Sequence, residues 1–171
     1  GRLIATSVGC DLSKWRQAMN SEKILNILND LVQISRDGAA GFRTCAIDAK
    51  DPSLKLYFQD RAQDCDDAVH TLNTEIRHYG GDPNTTGSTV AMVHRRWIDL
   101  QTMLGNRDNL TVLEECERGE ALALRAYEEA LREEIPDSLR ACLDHQYEGV
   151  KKNHERVREL RDETRKNVDL A

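Results

Sequence analysis

The chain has 171 residues, 24 basic against 30 acidic, for a formal net charge of −6, with 5% aromatic residues. One domain with a buried core is the simplest organisation at this length. The acidic, intermixed charge argues against a nucleic-acid or anionic-membrane surface, and no apolar run is long enough to span a bilayer.

Residues 1–20 show no clear helical period, and Met19 stands just before the first strong helix signal. They read as an N-terminal extension, poorly ordered and up to Ala18 foreign to the native domain, without a secretory-signal pattern. A single domain follows over 21–165, and a tail over 166–171 is expected to fray.

The first helix is predicted over Glu22–Ala49 with Ser21 as N-cap. Its inward positions are Ile24, Leu28, Leu31, Ser35, Gly38, Phe42, Cys45 and Ala49. Gly38 and Gly41 cost helix stability, which makes sense if a neighbour approaches closely there. Asp51-Pro52 ends this helix and starts the next, with Asp51 as cap and Pro52 in the first turn. The second helix, Pro52–Tyr79, carries a stripe of Phe58, Ala62, Cys65, Val69, Leu72, Ile76 and Tyr79, with Arg61 on its edge. Gly80-Gly81-Asp82-Pro83 stops it.

A shorter helix fits Thr89–Leu104, where Val90, Val93, His94, Trp97, Leu100 and Leu104 share a face. His94 and Trp97 read as core packing, and Arg95 and Arg96 as solvated or ion-paired rather than anion-binding. Asp108 can cap the next helix, Leu110–Glu134. Its inward positions step by three and four through Leu110, Leu113, Glu117, Glu120, Leu124, Tyr127 and Leu131. Two carboxylates in an apolar stripe need a cation, a metal or a proton. Ile135-Pro136-Asp137 breaks to the last helix, Ser138–Arg165, with Leu139, Cys142, Leu143, Gln146, Val150, Asn153, Val157 and Leu160 inward and His154 on the flank.

The fold class is therefore all-α. Two helix pairs with short turns and a long crossover, itself helical, between the second and third long helices give a ferritin-like antiparallel four-helix bundle. Five scattered cysteines without a C-x-x-C pair speak against a disulfide framework or zinc site and suit a reducing cytoplasm. Cys45, Cys65 and Cys142 fall on apolar stripes as small buried hydrophobes.

From about Asn20 to Asp162 the chain resembles a bacterial ferritin-like four-helix-bundle family of unknown function. The residues carrying the match are Leu28-Asn29-Asp30-Leu31, Asp37-Gly38 with Gly41-Phe42-Arg43, Gly80-Gly81-Asp82-Pro83, His94-Arg95 with Trp97, Leu113–Glu120, Gln146, His154, Val157 and Leu160-Arg161. The resemblance implies the bundle fold and supplies no substrate or reaction.

Ferritin-class di-iron bundles place one Glu on each of two helices and Glu-x-x-His on each of the other two. Here His154 is preceded at that spacing by Lys151, and Asp37 points away from its helix stripe. Asp67-x-x-His70 faces away from Cys65 and Val69, and Glu75-x-x-His78 lies at the helix end. The full ligand set is absent. The expectation is instead a polar core layer of Arg61, Glu117, Glu120, Gln146, Asn153 and His154. In it Arg61 pairs with Glu117, and Glu120 pairs with Asn153 or His154.

Such a protein is expected to be non-enzymatic and without a cofactor, acting by self-association or through a protein partner, in a stress setting as some ferritin-like relatives suggest. The alternative is an iron- or manganese-binding protein with oxidase-type chemistry, using a reduced site of Glu117, Glu120 and His154. A third reading is small-ligand binding in the middle layer, where Ser35 and Gly38 leave room.

Overall fold

The computed structural model describes residues 8–84 and 108–171. These form four α-helices: α1 (Val8–Asp48), α2 (Pro52–His78), α3 (Asn109–Arg132) and α4 (Asp137–Asp169). No strand occurs among the described residues. The expected crossover helix Thr89–Leu104, with His94 and Trp97, lies outside them.

The helix ends follow from local chemistry. The Asp51 carboxylate accepts from the Ser53 amide at 2.8 Å and caps α2, with Pro52 opening the helix. Asp108 does the same for α3, accepting from the Thr111 amide at 2.8 Å. Gly80 takes φ +79° after α2, and the Gly80 and Gly81 amides donate to the Arg77 and Ile76 carbonyls at 3.0 and 2.9 Å. That is the double bond of a Schellman stop, which favours glycine at the left-handed position. A Cβ at Gly81 would come within 2.5 Å of Leu25 Cδ2 and 3.3 Å of the Ile76 carbonyl, so this stop sits hard against α1. Arg140 closes α3 from the next helix, donating to the Leu131 and Glu133 carbonyls at 2.6 and 2.9 Å.

Two close contacts fix the topology. The Lys50 amide donates to Asn109 Oδ1 at 3.0 Å, which sets the start of α3 beside the α1–α2 turn. At the far end Lys23 pairs with Glu133 at 2.5 Å. The third helix therefore runs antiparallel to α1 and parallel to α2, as in a one-crossover bundle.

Every inward position predicted on the first helix is buried. The boundaries differ at both ends. Residues 8–20 continue α1, exposed from Leu12 to Asn20, since no proline or capped stop separates them from Ser21. The last helix likewise continues to Asp169.

Candidate functional site in the middle of the bundle

The apolar core is split in two. One half gathers Phe42, Cys45, Phe58, Val112, Leu113 and Val157 near the α1–α2 turn. The other gathers Leu28, Leu31, Leu72, Ile76, Tyr127 and Leu143 toward the Gly80 end. Between them lies a polar level built around Arg61 and Glu120, which are 6% and 2% exposed.

Arg61 reaches from α2 across the bundle to α3. Its Nε and Nη2 both donate to Glu120 Oε1, at 3.1 and 2.7 Å. Nη1 donates to Asp64 Oδ2 at 3.0 Å, and the guanidinium carbon lies 5.2 Å from the centre of the Phe42 ring. Each nitrogen of the cation thus has an acceptor, and one face has a ring, as a buried charge requires. Burial works against the Arg61 charge, but the Glu120 carboxylate overcomes it and holds the guanidinium above its ordinary value. For Glu120, burial pushes the carboxyl up while Arg61 pulls it back.

This corrects the expected pairing of Arg61 with Glu117, and of Glu120 with Asn153 or His154. The buried face of α3 keeps Leu113, Glu120 and Tyr127 of the predicted row but adds Val112, Cys116, Gly119 and Ala130, so it is turned from the predicted stripe. Glu117 is thereby turned to the edge facing α4. It is ion-paired with Arg161, and lies 4.0 Å from His154 Nε2 and 3.9 Å from Arg158 Nε. Gln146 accepts from the Tyr127 hydroxyl at 3.0 Å. Asn153 donates along its own helix to the Gly149 carbonyl at 2.8 Å. Asp37, expected to point away from the core, is 7% exposed and accepts from Gln33 Nε2 at 2.9 Å.

Sequence reasoning missed Asp64, Arg161 and the inward place of Cys116. The i, i+3 spacing of Arg61 and Asp64 was a visible signal for the first. Nothing local marked Arg161 as the partner of a residue 44 positions away.

Beside the ion pair lies a cleft of about 330 Å³, lined by residues of all four helices. Phe42, Ala68 and Val150 give it apolar walls, and Arg61, Tyr127 and Gln146 bring polar groups to it. Cys65 also lines it; burial pushes its thiol up to about 12, against the pull of Arg61. Gly38 lets α1 approach here, since a Cβ would stand 3.2 Å from Cys65 Sγ.

The residues present do not fit a di-iron centre. Glu120 is committed to a guanidinium, Glu117 faces a second group of cations, and Glu117, Glu120 and His154 are not gathered at one point. No group of three or more His, Cys, Asp or Glu placed to hold a metal occurs among the described residues. None of the described helices is long and apolar enough to cross a membrane.

Comparison with known proteins agrees with this architecture. The family model described as a domain of unknown function (DUF2383) matches residues 23–133. Among solved structures, the chain is similar to ferritin-like, diiron-carboxylate proteins from Bacillus anthracis str. Ames. The identity is 16% and the TM-score 0.67, over 83% of this chain and 97% of that one. No curated protein matches the sequence.

Proposed function

The chain belongs to the DUF2383 family of ferritin-like bundles, and we propose that it works by association, with a second copy or a protein partner, rather than by metal redox chemistry. The observation that carries this reading is the Arg61 guanidinium bonded to Glu120 in the buried middle layer. A fixed cation there supplies the charge compensation that a divalent ion would otherwise give. The exposed Leu12, Trp15 and Met19, spaced by three and four on α1, offer apolar area for association. The reading carries with it a bacterial cytoplasm and a stress setting.

Two measurements test it. Protein made aerobically with iron and manganese supplied should hold substoichiometric metal by mass spectrometry, unchanged by Glu120→Ala. One or two metals per chain, lost on that substitution, would overturn the reading and favour an oxidase. Light scattering should find an assembly of more than one chain, dissociated by Trp15→Glu with Met19→Glu. A stable monomer that captures no partner counts against association.

A second reading has its own support. The cleft has the size and mixed lining of small-molecule sites. Gly149 lines it with open space at its Cβ position, so Gly149→Phe should partly fill it. Thermal shifts produced by a panel of small organic compounds should vanish in that variant while its own melting point is kept. Shifts equal to those of wild type would place any binding elsewhere.

A further inference from the structure

Cys45 on α1 and Cys116 on α3 are 3% and 0% exposed. Cys116 Sγ approaches Cys45 Sγ at 2.8 Å, across 71 positions of sequence. A disulfide needs the sulfurs at about 2.05 Å, so closure asks for the sulfurs to approach by under about 1 Å. The pair lies in the apolar half near the α1–α2 turn, where Phe42, Ala46, Val112 and Leu113 surround it. Cys65 and Cys142 line the central cleft instead. The two sulfurs also join different halves of the molecule, since α1 pairs with α2 through the 49–51 turn and α3 pairs with α4 through 133–136.

We propose that Cys45 and Cys116 form a modification site, oxidised by hydrogen peroxide to a disulfide that clamps α1 to α3. One sulfur attacks a peroxide oxygen, the O–O bond breaks, and sulfenic acid and one water result. The second sulfur then attacks the sulfenic sulfur; the S–S bond forms, the S–O bond breaks, and the hydroxyl leaves as water with the thiol proton. Two thiols are oxidised by two electrons, and one peroxide is reduced to two waters. Burial slows the attack and leaves only an oxidant small and uncharged enough to enter a packed helix interface, so bulky disulfides are excluded. The clamp is independent of the proposed association and of the central cleft.

Full-length native protein treated with hydrogen peroxide, then alkylated and digested without reductant, tests this. The expected product is a linked Cys45–Cys116 peptide pair, lighter by two hydrogens than the reduced peptides and reversed by dithiothreitol. The linked protein should melt higher by on the order of 10 °C, because the bond closes a long loop in the unfolded chain. Cys45→Ala should abolish the pair without creating another. Sulfinic or sulfonic products at these sites, or links that run mainly to Cys10, Cys65 or Cys142, would overturn the proposal. So would a Cys45–Cys116 link that forms only in denaturant.

Discussion

Arg61 gives two guanidinium nitrogens to a single oxygen of Glu120, 59 residues away on a parallel helix, where neither residue is more than 6% exposed. The pair sits between two apolar half-cores, at the level where helix register can be fixed by a polar contact.

Breaking the pair from one side leaves a buried charge alone. Arg61→Leu should cost ~3–5 kcal/mol in urea unfolding. Replacing both, as Arg61→Met with Glu120→Leu, should recover most of that loss because no charge is then stranded. A single-variant loss of about 0.5 kcal/mol, the scatter of surface changes, would deny the pair a structural role.

The two glutamates should part company. Glu117 is partly solvated among Arg161, Arg158 and His154, so Glu117→Ala should cost at most ~1 kcal/mol and weaken further with salt. Glu120→Ala should cost more than that, because it leaves the buried Arg61 with only the exposed Asp64 as a carboxylate partner. Equal losses for the two would contradict the observed rotation of α3.

Gly38 marks the close approach of α1 and α2. Gly38→Val should lose ~1–3 kcal/mol by overpacking against Cys65 Sγ. Cys65→Ala should relieve part of that loss in the double variant. Additive losses would show that the contact is not the cause.

Cys65 predicts the sign of the alkaline limb. Burial first, opposed by Arg61, raises its pKa from 9.0 to about 12. The folded state therefore keeps the proton longer than the unfolded chain. Its contribution to stability is whole below 9.0 and is lost as pH rises toward 12. Unfolding measured from about pH 8 to about pH 10.5 should fall less steeply in Cys65→Ala than in wild type. Parallel curves would show that the thiol ionises alike in both states.

What the sequence determined by itself was local or periodic. The inward row of α1 from Ile24 to Cys45, with Ala49 just past its end, is buried throughout, because apolar and small residues at steps of three and four can form only one face of a helix. Asp51-Pro52, Asp108 and Gly80-Gly81 set helix ends through bonds to neighbours within a few residues. The presence of a buried acidic layer was legible too, since a glutamate in such a row calls for a partner.

Which glutamate meets which cation was decided only in three dimensions. A rotation of α3 toward Val112, Cys116 and Gly119 sends Glu120 to Arg61 and Glu117 to Arg161. Helical periodicity locates a face only to within a residue or so, while a hydrogen-bonded buried ion pair distinguishes positions three apart. The same placement of α3 brings Cys116 to Cys45 and puts Gly119, Glu120 and Tyr127 in the lining of the cleft. Those relationships depend on how four helices settle against one another, and the cost of stranding a buried charge selects among the possible settlings.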